Sequence, residues 1–168
     1  MSVKDAMNWL AQKDDTVFIG QNIKDCSTPL SVYKALEDVF DDKKIEFPVA
    51  EEFQMGFSLG MALNNVVPVT VYPRFDFLIL ATNQLVNHVD KIQYMSKGKF
   101  GNPKIIVRTF VGKDKPLNPG LQHIQNHTEA FKLMLSFMNV VELTNEDDAL
   151  DIYQNAYNSD TSTLIVEV

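Results

Sequence analysis

The hydrophobic positions along the chain follow two different spacings. Short continuous apolar runs predict strands at residues 16–19, 44–47, 66–72, 104–109, 140–143 and 163–168. Apolar residues three or four positions apart predict helices at residues 2–13, 31–40, 51–63, 77–97, 127–137 and 146–157. Continuously apolar strands separated by helices are typical of a parallel sheet covered on both sides. The pattern therefore predicts a three-layer α/β fold with a mostly parallel sheet.

The size and charge of the chain limit the kinds of protein to which it can belong. Its 168 residues are 45% hydrophobic, which suffices for one domain over residues 1–168, and no C-terminal domain is expected. The formal net charge of −7 disfavours nucleic-acid binding, since an acidic surface repels phosphates. The sequence has neither an apolar run of roughly 20 residues nor the start of a signal peptide. We therefore expect no membrane span and a cytoplasmic location.

The chain contains a single cysteine, Cys26. One cysteine can form neither an internal disulfide nor a cysteine-rich zinc site. No histidine lies near it in sequence, so we interpret Cys26 as a plain thiol. No metal site is predicted within this chain.

Ligands of parallel α/β sheets bind beyond the carboxyl ends of the strands, so the residues that follow strands are the candidates. Glu51 opens a helix, near the positive end of its dipole, which by itself is ordinary helix-start chemistry. The aromatic residues of 72–77 indicate either core packing or a pocket. His123 follows a loop, where it is either a proton donor or a surface residue. His127 is expected to cap a helix or lie at the surface.

The predicted helix at 51–63 carries Gly56 and Gly60, four residues apart and therefore on one face. Glycine lowers helix stability by about 1 kcal/mol per residue, so two glycines on one face suggest that something packs closely there. Two interpretations stay open: a tight helix–helix crossing, or a contact with a subunit or cofactor.

Several segments, taken in order, resemble the β subunits of pyruvate and branched-chain 2-oxo acid dehydrogenases, which belong to the transketolase-like thiamine diphosphate enzymes. The resemblance covers nearly the whole chain, from about residue 6 to 168. The segments that carry it are Pro48-Val49-Ala50-Glu51, Gly56 with Gly60, Phe75-Asp76-Phe77, Gln84-Leu85-Val86-Asn87, Lys91, Tyr94-Met95-Ser96-Lys97-Gly98, Gln122-His123-Ile124-Gln125, Val140-Val141 and Glu146-Asp147. The chain departs from the family pattern at Gly20-Gln21-Asn22, at Ile124 and in its glycine-poor loop before His123.

The resemblance implies thiamine diphosphate as the cofactor and Glu51 and His123 as the catalytic residues. In the family, the glutamate matching Glu51 hydrogen-bonds N1′ of the aminopyrimidine and favours the imino tautomer, which removes the C2 proton. Phe77 matches the aromatic residue that packs on the aminopyrimidine, and Tyr72 and Phe75 are expected to bind the cofactor or pack behind it. His123 matches a histidine on the substrate side. Gln122 and Gln125 are expected to support it.

The sequence contains no Gly-Asp-Gly, the element that anchors the diphosphate and its magnesium ion in this family, and no Walker loop. The resemblance therefore implies a partner chain of the α type, carrying Gly-Asp-Gly and a later Asn, in an α₂β₂ heterotetramer. The partner would hold the magnesium ion, and the active site would lie between the chains. The implied substrate is a small 2-oxo acid or ketose.

Three readings of the function remain open from the sequence. Decarboxylation of a 2-oxo acid with transfer of the acyl or aldehyde unit is the leading one, and a transketolase-like or acyloin-forming half-enzyme is its nearest variant. A non-catalytic regulatory or assembly subunit is the second, although the joint presence of Glu51, Phe77 and His123 argues against it. An ordinary α/β ligand-binding module is the third.

Overall fold

The sheet is parallel throughout. The computed structural model describes residues 1–25, 31–113 and 119–168. Within these residues, six strands pair in the order β2-β1-β3-β4-β6-β5, and every pairing is parallel. The strands are β1 (Thr16–Gly20), β2 (Lys44–Glu46), β3 (Val67–Tyr72), β4 (Ile106–Phe110), β5 (Asn139–Leu143) and β6 (Thr163–Glu167).

Helices cover both faces of this sheet. They are α1 (Val3–Ala11), α2 (Ser31–Lys34), α3 (Glu51–Ala62), α4 (Phe75–Leu78), α5 (Ile92–Ser96), α6 (Thr128–Met134) and α7 (Ala149–Asn158). One apolar cluster joins α1, α2 and α7 to one face, and a second joins α3, α4 and α6 to the other. The predicted three-layer α/β fold is confirmed.

The central strands are buried on both faces because nearly every residue in them is apolar. All six residues of β3 and all five of β6 are buried. Alternate side chains enter opposite clusters: Val69 and Val71 join the α1/α7 side, whereas Tyr72 joins the α3 side. This double burial is what the continuous apolar runs predicted.

The predicted strands agree with the observed ones to within two residues at each end, whereas two of the predicted helices, at 31–40 and 77–97, are interrupted. The helix predicted at 31–40 is α-helical only over Ser31–Lys34. The chain then tightens into turns, in which Leu36 N–H donates to the carbonyl of Tyr33 and Val39 N–H to that of Leu36. Leu36 and Val39 remain buried, so the apolar spacing is kept while the hydrogen-bond pattern changes.

The long helix predicted at 77–97 is interrupted. After α4 the chain forms a 3₁₀ turn at Ile79–Ala81, then a π-helical segment at Gln84–Val89, before α5. The backbone N–H of Asp90 donates to the carbonyl of Leu85, five residues back. Such π segments widen a helix by one residue, a difference that apolar spacing does not reveal.

Two features fall outside the described residues: Cys26, and residues 114–118 of the loop before His123. The interpretation of Cys26 as a plain thiol is therefore not addressed by the structure. Among the described residues, no helix combines the length and apolar character required to span a bilayer.

A buried ion pair ties the carboxyl ends of β4 and β6 together. The Arg108 guanidinium donates through Nε and Nη2 to the two oxygens of Glu167, at 2.6 and 2.9 Å, and through Nη1 to the carbonyl of Val32 at 2.6 Å. Tyr153 adds a hydroxyl donor to Glu167 at 2.8 Å. Burial opposes the charge of Arg108, but the adjacent Glu167 outweighs it and raises the pKa of the guanidinium.

We predict that Gly20→Ala destabilises the protein. A Cβ at residue 20, where β1 ends, would lie 2.9 Å from the carbonyl oxygen of Val71 and 2.9 Å from Cγ2 of Ile23. Overpacking of this kind typically lowers the free energy of unfolding by about 1–3 kcal/mol. Chemical denaturation measures the loss.

The matched control is Gly60→Ala in α3, since no described atom lies within 4 Å of a Cβ added there. Alanine is the better helix former, so this variant should gain about 0.5–1 kcal/mol. Equal behaviour of the two variants would show that the close contact at Gly20 is not limiting.

Candidate active site

The candidate residues lie along one edge of the sheet. Gln21 directly follows β1, Phe77 lies just beyond β3, and His123 follows the loop after β4. The strands β1, β3 and β4 are adjacent and parallel, so their carboxyl ends lie side by side. Glu51 reaches this edge as the first residue of α3, which connects β2 to β3.

The Glu51 side chain lines an open depression of about 540 Å³, together with Phe53, Gly56, Leu80 and Gln84. Glu51 is only 7% exposed. Its Oε1 accepts a hydrogen bond from the amide of Gln21 at 3.3 Å. The N-terminal position in α3 also favours negative charge. The result is a nearly desolvated carboxylate at the wall of an open recess.

Polar contacts hold the start of α3 against the sheet. The hydroxyl of Tyr72 donates to the backbone carbonyl of Glu51 at 3.0 Å. Burial raises the pKa of Tyr72, which keeps its hydroxyl a donor. One turn further on, the fully buried amide of Gln54 contacts Thr70 Oγ1 at 2.9 Å and the carbonyl of Val71 at 3.1 Å. These contacts fix the position of Glu51 relative to β3.

Phe77 and His123 are neighbours. Their rings meet edge to face, with centroids 5.4 Å apart and planes at 85°. Both side chains are half-buried. Nδ1 of His123 is buried and has no hydrogen-bond partner among the described residues. A buried ring nitrogen without a partner is unusual and identifies His123 as a residue with an unused polar function.

Gly112 lies directly against the backbone of His123. A Cβ added to Gly112 would overlap the backbone carbonyl oxygen of His123. Only glycine permits this approach, so the position of His123 depends on Gly112, two residues beyond β4. Close approach of two distant backbones leaves no local signal in the sequence, so Gly112 was not among the predicted site residues.

Phe75 and Tyr72 lie behind the site rather than in its open recess. Both are fully buried. Phe75 packs against Phe131 at 5.1 Å and against the edge of His127 at 5.4 Å. The sequence left open whether these residues contact the cofactor or pack behind the pocket. The structure shows packing behind the pocket, and direct contact with a cofactor remains a prediction.

The expectation for His127 is wrong in part. The residue is the N-cap of α6, but its side chain makes no capping hydrogen bond. Instead, Asn126 Oδ1 accepts from the backbone N–H of Thr128 at 2.9 Å. The His127 ring points inward, with Nε2 3.9 Å from Oδ1 of Asp76. The exposed side chains of Gln122 and Gln125 make no described contact with His123, so their supporting role stays a prediction.

A sheet of this order, with a glutamate opening the helix after an edge strand, defines a class of cofactor-binding domain. The family model "Transketolase, pyrimidine binding domain" matches residues 1–167, and the chain belongs to this family of thiamine diphosphate-dependent enzymes. The resemblance inferred from the sequence is thereby confirmed.

Individual relatives are more distant. The chain is 26% identical over 168 residues to "Pyruvate dehydrogenase E1 component subunit beta" of Gracilaria tenuistipitata var. liui, covering 99% of this chain and 51% of that protein. It is 27% identical to the protein of the same name from Rickettsia conorii, covering 99% and 50%. The chain thus spans about half the length of these curated relatives.

Solved structures share the fold at lower identity. A chain described as "Split gene transketolase, inactive beta4 tetramer" superposes with a TM-score of 0.71 at 14% identity, covering 98% of this chain and 49% of that one. Transketolase from Campylobacter jejuni superposes with a TM-score of 0.74 at 13% identity, covering 99% and 25%. At these identities the likeness establishes the fold alone.

Proposed function

We propose that this chain is the pyrimidine-binding subunit of a two-chain, thiamine diphosphate-dependent enzyme that decarboxylates a small 2-oxo acid and transfers the acyl or aldehyde unit. The observation that carries the proposal is Glu51: a carboxylate only 7% exposed, fixed at the start of α3 beside an open recess. The similarity to pyruvate dehydrogenase E1 β subunits favours a 2-oxo acid as substrate.

The residues present suit the aminopyrimidine ring of the cofactor. Glu51 can accept a hydrogen bond from a protonated ring nitrogen, and its burial strengthens that bond because little water competes. Phe77 offers an apolar surface for a flat heterocycle. Bound thiamine diphosphate would supply the nucleophilic carbon that the reaction at the substrate carbonyl requires. The role of Glu51 is to hold the proton on that ring nitrogen.

His123 is proposed to hold or transfer a proton on the substrate side. Its ring is fixed by Phe77, and its Nδ1 has no partner among the described residues. A histidine ring nitrogen without a protein partner is available to exchange a proton with a bound substrate.

A partner chain is proposed to complete the site. The recess at Glu51 is open to solvent on one side, and the aromatic residues beside it are exposed: Phe53 by 62% and Phe57 by 39%, packed on Phe47 at 5.2 and 5.5 Å. Exposed apolar clusters of this kind mark interaction surfaces. With no Gly-Asp-Gly in the 168 residues, the diphosphate and magnesium site is assigned to an α-type partner, in a cytoplasmic α₂β₂ complex.

A tagged copy of the chain, purified from its native source, tests the proposal. We expect a stoichiometric partner carrying Gly-Asp-Gly and a later Asn, identified by mass spectrometry. With thiamine diphosphate and Mg²⁺, the complex should release CO₂ from a 2-oxo acid. Two-carbon transfer from a ketose without CO₂ release would replace this reaction by the transketolase-like one. A pure complex that turns over neither substrate class would favour a regulatory subunit.

A further inference from the structure

The side chain of Asp76 faces the ring of His127, whose side chain is 21% exposed. The Asp76 side chain is only 8% exposed, and neither of its oxygens has a hydrogen-bond partner among the described residues. Nε2 of His127 is likewise buried without a partner. The distance between this nitrogen and Oδ1 of Asp76 is 3.9 Å.

A buried carboxylate without a donor is strongly destabilising, so such groups are normally paired. His127 presents the complementary group at the right place. A proton on Nε2 would give Oδ1 of Asp76 a donor, and a shift of about 1 Å brings the two atoms to hydrogen-bond distance. The edge contact with Phe75 holds the His127 ring in this orientation.

The two residues belong to the segments that carry the candidate site. Asp76 directly precedes Phe77 in α4, and His127 ends the segment that begins at the 3₁₀ turn of His123. A link between them therefore ties the His123 segment to the helix that presents Phe77. Gly112 restrains the same segment from the opposite end, at the carbonyl of His123.

We propose that Asp76 and His127 form a positioning pair that fixes His123 against Phe77. Neither residue contacts the reacting atoms. The catalytic consequence rests on the proposed function, whereas the pairing itself does not.

Three variants of the full chain test the pairing: His127→Phe, Asp76→Ala and the double variant. His127→Phe keeps the ring packing but leaves the carboxylate buried alone, and it should raise the unfolding equilibrium constant on the order of tenfold to a hundredfold. The double variant removes the stranded carboxylate and should be more stable than His127→Phe. Independent residues would instead give additive losses, and additive losses would overturn the pairing.

The position of His123 is read from its Hε1 NMR resonance, assigned with His→Gln variants. The ring current of Phe77 makes this signal sensitive to the edge-to-face contact. All three variants should shift it, since each breaks the link, and the exposed control His88→Gln should not. An unmoved His123 signal in His127→Phe would overturn the positioning role.

The activity of the complex with the proposed partner distinguishes an effect on the position of His123 from an effect on the stability of the chain. Displacement of a proton-transfer group by about 1 Å can cost on the order of 100-fold in rate, so kcat should fall in all three variants while the KM for cofactor is kept. In the double variant, stability recovers but kcat does not. Recovery of both would reduce the pair to a structural role. A wild-type complex without thiamine-dependent activity would refute the proposed function, while the stability and NMR results would still decide the pairing.

Discussion

Glu51→Gln should slow exchange of the cofactor's C2 proton on the order of 10²–10⁴-fold in the complex with the proposed partner chain. The substitution keeps the shape of the side chain but removes the negative charge that stabilises a protonated ring nitrogen. Gln21 and Tyr72 can keep their contacts, because one donates to a side-chain oxygen that glutamine retains and the other to the backbone. The fold should therefore be unaffected.

The exchange rate is measured by acid quench and proton NMR after transfer into deuterated water. Glu52→Gln is the matched control: it removes the same charge one residue further along α3, where the side chain is exposed and accepts from Asn83 at 3.2 Å. The control should exchange at the wild-type rate. Near-normal exchange in Glu51→Gln would refute the assignment of this residue.

Glu167→Gln should lower the free energy of unfolding by about 3–5 kcal/mol, the usual cost of breaking a buried ion pair from one side. Arg108 is 1% exposed and donates to both oxygens of Glu167. In the variant, an amide NH₂ group replaces one of those oxygens and faces the guanidinium N–H groups. The buried positive charge is then left without its counter-ion.

Chemical denaturation of the full chain measures this loss. The exposed pair of Glu129 and Lys132, with 2.8 Å between its charged atoms, provides the control, and Glu129→Gln should change stability little because water screens the charges. Replacing both buried partners, as in Arg108→Met with Glu167→Leu, should recover most of the stability. A small effect of Glu167→Gln would show that Arg108 finds other acceptors.

The layered fold followed from the sequence because β1, β3 and β6 carry consecutive apolar residues, as expected for strands covered on both faces. The interrupted helix did not follow. Leu78, Ala81, Leu85 and Val89 are all buried at spacings of three and four, as in a regular helix. Whether the backbone hydrogen bonds are formed four or five residues back leaves no trace in that spacing.

The site was predicted in part. Glu51, Phe77 and His123 were found because each follows a strand and matches a motif. Gln21, Gly112 and the pair of Asp76 and His127 were not, since their significance lies in contacts across the fold. Gln21 is 30 residues from Glu51, to which it donates. His127 was assigned to a helix end correctly, but the inward direction of its ring is set by Phe75 and Asp76.

The anchoring of α3 by Tyr72 and Gln54 has a consequence for association. With its backbone carbonyl bonded to Tyr72 and its side chain to Gln21, Glu51 has already lost its rotational freedom in the isolated chain. The conformational entropy of ordering this half of the site is therefore lost when the chain folds and not when a partner arrives. The favourable free energy of association then has to offset mainly the loss of translational and rotational freedom, as expected for a preorganised surface.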